Sequence, residues 1–296
     1  MSDIPFDQRE GFMWVDGAFI NWQDAKIHIM THGLHYGCAV FEGIKVYDSR
    51  PFKLMQHHQR FLKSGTLVGY RIPYSVDELN AVALELIARQ GISNGYIRPI
   101  AWLGSETMLV SGNNCKVRTA MAVWETDKHD RSETRAVGAR LNVSTWNKAP
   151  NGCLPHQSKV SGLYVIATMV KNQATSEGFD DSLFLDVHGH ITEATTSNFF
   201  FIKNNQLMTP IADCFLNGIT RQTIIEIAQR HDITVVEGHI RLEELQGADA
   251  AFLTGSAIEI MPVQSINYGD VECKFDVGNG LMKKLHSSYQ ELVYMP

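Results

Sequence analysis

No apolar run in the sequence approaches the ~20 residues of a membrane span, and the opening MSDIPFDQRE lacks the basic-then-apolar layout of a secretory signal. A cytosolic chain with no membrane partner is the expectation. Cysteine is sparse: Cys38, Cys115, Cys153, Cys214 and Cys273 are odd in number and scattered without a CxxC, so free thiols are expected rather than a disulfide framework or zinc knuckle. Basic residues are also in deficit, 26 Lys+Arg against 32 Asp+Glu for a net charge of −6, and no basic block is interleaved with aromatics. That argues against a nucleic-acid partner. No GxGxxG, GxSxG or GxxxxGK[ST] occurs, so dinucleotide-binding, α/β-hydrolase and P-loop readings have no anchor. No period of 20–50 residues repeats, which sets solenoids and propellers aside. Twelve histidines include the pairs His32/His35, His57/His58 and His188/His190, but none carries a Cys or carboxylate set at zinc spacing. No metal is expected.

What is present is an ordinary globular composition, 296 residues of which 44% are hydrophobic and 20% charged. The most polar stretch, Glu125–Arg135 (ETDKHDRSETR), lies between two strand-like runs, Thr119–Trp124 and Ala139–Trp146. It reads as a linker over 125–136 that separates an N-terminal domain, 1–124, from a C-terminal domain, 137–296. Asp16-Gly17 between apolar flanks predicts a hairpin. Gln56–Tyr70 reads as a helix, and Ser75-Val76-Asp77-Glu78 is a capping box that opens another. Tyr96–Leu103 reads as a strand, with Tyr96, Arg98, Ile100 and Trp102 on one face. Downstream, Ser161–Thr175 reads as a helix, Ser182–Val187 and Asn198–Ile202 as strands about the His188-Gly189 turn, and Gly218-Ile219-Thr220-Arg221 as the entry to a further helix. Strands at Thr234–Glu237 and Ala250–Thr254 follow. Strands and helices mix without strict βαβ alternation, which predicts a two-lobed α+β protein.

Four features bear on chemistry. Lys159, among small and apolar residues just before a helix, is placed to be desolvated, which would lower its pKa and free an amine for Schiff-base formation. Glu193 follows a tight turn and precedes an apolar strand; such a carboxylate suits a protonated pyridine nitrogen, although it also suits a turn or cap. Gly218-Ile219-Thr220 at a helix start and Thr254-Gly255-Ser256-Ala257 after a strand are backbone anion cradles, to which Arg60 adds a fixed charge. Tyr96 and Arg98 on one strand face, with Tyr36, Phe41 and Gly43 nearby in sequence motifs, suit a carboxylate-bearing substrate with an apolar side chain. Each feature alone has a structural explanation.

Taken in order, HYG…VFEG, HxxR, YIRP, the lysine five residues before Tyr164, TE followed by SNFF, GITR and TGSAIEIMPV span nearly the whole chain. This set resembles the class IV aminotransferases, the fold type IV pyridoxal phosphate enzymes, and is most similar to bacterial branched-chain amino acid aminotransferases. The resemblance implies a D-amino acid aminotransferase-like fold, with a small N-terminal α/β lobe and a larger cofactor-binding C-terminal lobe. It makes Lys159 the catalytic Schiff-base lysine. Tyr164, Glu193, Arg60, Ile219, Thr220 and Ser256 would complete the pyridoxal 5'-phosphate site. Phe41, Gly43, Tyr36, Tyr96, Arg98, Trp124 and Ala257 would bind substrate, and Met108 and Val110 would belong to a loop offered across a homodimer interface, alone or within a larger assembly of dimers. The implied reaction is ping-pong transamination of leucine, isoleucine and valine with 2-oxoglutarate. The chain departs from the branched-chain pattern EGxGxNLF at Glu193-Ala194-Thr195-Thr196-Ser197-Asn198-Phe199, lacks the usual tyrosine after Trp124, and has Ser256 for threonine. Those departures keep D-amino acid or amine transamination, and aminodeoxychorismate lyase chemistry, as alternatives.

Overall fold

A computed structural model describes residues 4–126 and 132–295, and the chain divides into two compact units, 1–130 with 158–164, and 131–157 with 165–296. The expected linker 125–136 is only partly described: β-structure runs to Glu125, residues 127–131 lie outside the described residues, and a short helix covers Ser132–Val137. No helix among the described residues is long and apolar enough to cross a membrane.

The first unit contains β1 (Phe12–Val15), β2 (Ala18–Asn21), α1 (His32–Tyr36), β3 (Val40–Phe41), β4 (Ile44–Tyr47), β5 (Arg50–Pro51), α2 (Leu54–Leu67), α3 (Val76–Gln90), β6 (Gly95–Leu103) and β7 (Val117–Glu125). Its seven strands form one antiparallel sheet in the order β2-β1-β7-β6-β4-β5, with β3 also on β6. Asp16 and Gly17 both take positive φ, 48° and 95°, which is the two-residue turn geometry that joins β1 to β2 with the right twist. At the start of α3, Ser75 Oγ accepts from Glu78 N and the Glu78 carboxylate accepts from Ser75 N, so the capping box forms as the sequence predicts.

Strand β6 alternates strictly between buried and half-buried residues. Ile97 and Ala101 enter a core with Val46, Phe61, Leu79, Leu86, Met121 and Val123, and the opposite face presents Tyr96, Arg98, Ile100 and Trp102 as expected. Segment 158–164 belongs to this unit and not to the C-terminal domain in which the composition places it. The cause is a set of hydrogen bonds: Ser158 Oγ donates to Ser64 O at 3.1 Å, Lys159 N to Ser64 Oγ at 3.0 Å and Phe41 N to Lys159 O at 3.1 Å, while Val160 bridges Val40.

The second unit contains α4 (Ser132–Val137), β8 (Ala139–Lys148), most of α5 (Tyr164–Ser176), β9 (Asp181–Asp186), β10 (His190–Ala194), β11 (Asn198–Lys203), β12 (Gln206–Pro210), α6 (Ile219–Arg230), β13 (Val235–Gly238), β14 (Ile240–Arg241), β15 (Ala250–Gly255), β16 (Glu259–Tyr268), β17 (Val271–Lys274) and α7 (Gly280–Tyr294). Its ten strands follow the order β13-β12-β11-β15-β16-β8-β9-β10-β14, with β17 on β16. A further pairing, Glu193 with Asn198, joins β10 to β11 and closes β11-β15-β16-β8-β9-β10 into a ring. Leu141, Leu183, Phe199, Phe201, Leu253 and Val263 are buried together in its core. The sequence pattern does not reveal β10, since His190-Ile191-Thr192-Glu193-Ala194 is mostly polar. Thr192 and Glu193 are nonetheless buried, and the Thr192 hydroxyl is satisfied by Phe184 O at 2.9 Å.

Candidate functional site

Lys159 is the centre of a cluster in the first unit. Its Nζ donates to Tyr164 Oη at 2.7 Å and sits 5.0 Å from the centre of the Phe41 ring, and the Phe41 and Tyr164 rings are 4.9 Å apart. Burial by itself would lower the Lys159 pKa, as its sequence surroundings suggest. The outcome is the reverse: the Tyr164 oxygen and the Glu42 carboxylate outweigh burial and hold the ammonium above its ordinary value, with Arg60 opposing them.

Across the same cluster, the Arg98 guanidinium lies 4.9 Å from the Phe41 ring centre and 5.7 Å from that of Tyr96, and Tyr96 meets Trp124 at 5.3 Å. Phe41, Tyr96, Arg98 and Trp124 therefore share one aromatic wall with a cation on it. Its register is set by β6 pairing, which puts Tyr96 opposite Trp124 and Phe41 opposite Ile100. Gly43 is required there, because a Cβ at that position would overlap the Tyr96 hydroxyl.

Behind the wall lies Glu42, which sequence reasoning misses although it stands between Phe41 and Gly43. Its carboxylate is fully buried and accepts from Arg60 Nε at 2.6 Å, Arg60 Nη2 at 2.8 Å, His57 Nδ1 at 2.7 Å and Gly43 N at 3.2 Å. Burial would raise its pKa, but Arg60 and His57 reverse that and hold Glu42 well below the usual carboxylate range. His57 itself is pushed down by burial, against the pull of Glu42. Arg60 commits two of its donor groups to Glu42 and keeps Nη1, buried and without a hydrogen-bond partner among the described residues.

Tyr36, Met108 and Val110 form a separate group. Tyr36 Oη donates to Met108 O at 2.8 Å, and His32 Nε2 lies 3.1 and 3.2 Å from the carbonyls of Leu109 and Val110. Leu109 and Val110 are 68% and 77% exposed, so the loop is pinned through its backbone and offers its apolar side chains to solvent.

The second unit carries its own cluster. Glu193 Oε1 accepts from Lys148 Nζ at 2.9 Å and Oε2 from Asn198 Nδ2 at 3.2 Å. Asn198 also donates to Leu216 O at 3.0 Å, and its Oδ1 accepts from Gly218 N at 3.1 Å, the residue preceding α6. One amide thus ties Glu193 to the helix start that holds Ile219 and Thr220. No side chain caps α6, leaving its first N–H groups for another acceptor. Strand β11 pairs Asn198 with Thr254, which brings the Gly255-Ser256 turn alongside; Thr254 Oγ1 is buried without a partner among the described residues, and Ala257 is exposed. Neither Lys148 nor Asn198 stands out in the sequence. The only available signal is the polar run at residues 195–198, where buried side chains would need partners.

The class IV amino-transferase family model matches residues 39–266. A probable branched-chain-amino-acid aminotransferase of Rickettsia felis is 39% identical over 293 residues, covering 99% of both chains. The branched-chain-amino-acid aminotransferase of Escherichia coli (strain K12) is 34% identical over 268 residues, covering 88% of this chain and 86% of that one. Among solved structures, the branched-chain amino acid aminotransferase of Thermobaculum terrenum in its PLP-bound holo form superposes with a TM-score of 0.85 at 27% identity, over 96% of this chain and 94% of that chain.

Proposed function

The chain belongs to the class IV aminotransferases, and on that premise we propose that it transaminates branched-chain L-amino acids (leucine, isoleucine and valine) with 2-oxoglutarate, using pyridoxal 5'-phosphate. The observation that carries this reading is the Lys159–Tyr164 pair at 2.7 Å against the Phe41 ring. The residues present fit the cofactor. Arg60 Nη1 and Thr254 Oγ1 are buried polar atoms in want of partners, and the uncapped start of α6 suits a dianion. Lys159, Tyr164, Arg60, Glu193, Ile219, Thr220 and Ser256 are the proposed cofactor ligands.

When bound, the cofactor supplies a ring that accepts the electron pair left at the substrate Cα. The protein's part is acid–base and positional. Lys159 Nζ would hold the cofactor and would serve as the general base for the Cα proton. Tyr164 Oη holds that nitrogen in place. Glu193 keeps the pyridine nitrogen protonated, and it can do so because each carboxylate oxygen retains a second acceptor position beside Lys148 and Asn198. Phe41, Tyr96 and Trp124 enclose a branched apolar side chain, and Arg98 supplies charge for a substrate carboxylate. The exposed Leu109 and Val110 support a homodimer in which this loop completes the partner's pocket.

The purified protein should be yellow, and Lys159→Ala should lose the absorbance of the lysine-bound cofactor. A half-reaction panel of L-leucine, D-alanine, aminodeoxychorismate and 1-phenylethylamine then assigns the substrate class. Bleaching by L-leucine alone is expected. A preparation that stays colourless with added pyridoxal phosphate, or one bleached only by D-alanine, overturns the reading.

A further inference from the structure

Outside these clusters, the second unit gathers three imidazoles and two carboxylates at the β9–β10 turn. Asp186 closes β9, His190 opens β10, and His239 stands just before β14, whose pairing with β10 sets Ile240 against Ile191 and Arg241 against His190. One ligand atom from each of Asp186, His190 and His239 lies within 4.8 Å of the others, the only such group of three or more His, Cys, Asp or Glu among the described residues. In the sequence, the His188/His190 pair shows no ligand set at zinc spacing; Asp186, four residues before His190, and the distant His239 supply one in the fold.

The arrangement has the features of a built site. Asp186 Oδ1 accepts from the backbone N–H groups of both His188 and His190 at 2.8 Å, which fixes the carboxylate plane and leaves Oδ2 3.0 Å from His190 Nδ1. The rings of His190 and His239 lie 5.1 Å apart, and His239 Nε2 is 3.8 Å from Asp213 Oδ2, a second carboxylate at the rim. Arg241 reaches the same turn, its Nη1 donating to His188 O at 3.2 Å.

Metal–ligand bonds of about 2.0–2.2 Å place tetrahedral ligand atoms roughly 3.3 Å apart. The Asp186–His190 edge is already near that separation. The longer edges to His239 close by rotation of a side chain that is 55% exposed. We propose that Asp186, His190 and His239 bind a divalent transition ion of the Zn2+ class, with Asp213 or water completing the shell. Two imidazoles and one carboxylate favour such an ion over Mg2+ or Ca2+, which take oxygen ligands. The ion would clip the β9–β10 turn to β14, the same hairpin whose second strand carries Glu193.

The test uses the untagged holoenzyme in a Cys153→Ser background, which removes the one exposed thiol. Zn2+ is titrated by calorimetry and Co2+ by its visible spectrum. One ion per chain is expected, together with a rise in Tm with Zn2+. His190→Ala and His239→Ala should each weaken affinity at least about tenfold, since even outer-shell changes at metal sites cost ten- to hundredfold. His28→Ala, which removes an exposed histidine of the first unit, should change nothing. His239 is exposed, so its removal should leave the fold intact, and a folded His239→Ala protein that binds Zn2+ as tightly as its parent overturns the proposal. So does a parent that binds no stoichiometric ion.

Discussion

Glu42→Gln isolates the buried charge cluster of the first unit. The substitution keeps shape but removes the charge from a group that accepts four hydrogen bonds, two of them from Arg60 and one from His57. An amide oxygen can satisfy only part of this donor set, and its NH2 would face donors where the second carboxylate oxygen was. Removing one partner of a buried ion pair costs about 3–5 kcal/mol. The Arg60 side chain is 15% exposed and can recover some hydration, so the low end, about 3 kcal/mol at pH 7, is expected. Urea denaturation followed by circular dichroism and tryptophan fluorescence measures it. The pH dependence adds a second constraint. Because the folded-state pKa of Glu42 is depressed, its stabilisation is fully present above the unfolded value of about 4.3 and is lost as pH falls through the folded one. The gap between wild type and Glu42→Gln should therefore be constant from pH 7 to about 5 and narrow below about 4. A penalty under about 1 kcal/mol at pH 7, the range of an exposed pair, or a gap that does not narrow in acid, would refute the assignment of Glu42 as a buried anion.

Gly43→Ala should force Tyr96 from its position against Gly43 and lower kcat/KM for L-leucine by about ten- to a hundredfold while the protein stays yellow, since misplacement by about 1 Å costs that much; unchanged kinetics would show that Tyr96 does not shape the substrate pocket. His58 Nδ1 lies 2.7 Å from Asn80 Oδ1 and its pKa is lowered by burial to about 4, so it stays neutral in the fold while the unfolded chain takes up a proton near pH 6.5. Stability should then fall as pH drops from about 6.5 to 4, by up to about 1.4 kcal/mol per pH unit from this residue, and His58→Gln should flatten that slope; an identical slope in the variant would contradict the assignment.

What is legible in the sequence is local. The Asp16-Gly17 turn, the Ser75–Glu78 capping box and the alternating faces of β6 are each decided within a few residues, and each is present. The family-bearing motifs are legible for the same reason. What escapes is set by pairing across the chain. The Glu193–Lys148 contact spans 45 residues, and Glu42–Arg60 spans 18 through an intervening strand pair and a helix start. Strand β10 escapes because Thr192 and Glu193 look like surface residues until their partners are known. Chain order assigns 158–164 to the C-terminal domain, whereas the hydrogen bonds to Ser64 and Phe41 place it in the first unit.

Arg60 shows how such a partner alters chemistry as well as structure. Read from the sequence, it is a fixed positive charge for a phosphate. In the structure its charge is already balanced by Glu42, at two short contacts inside a buried site, so the pair presents little net field. What Arg60 still has to give is the directional donor at Nη1. On the proposed role of Arg60, a dianion at that donor would be selected by hydrogen-bond geometry more than by net charge. The net charge of −6 is no obstacle to an anionic cofactor on that proposed role, because a local directional donor, not the chain's total charge, would hold it. Glu42 thereby fixes the guanidinium plane, and on the proposed role of Arg60 that plane, more than the charge, would decide where a phosphate oxygen can be held.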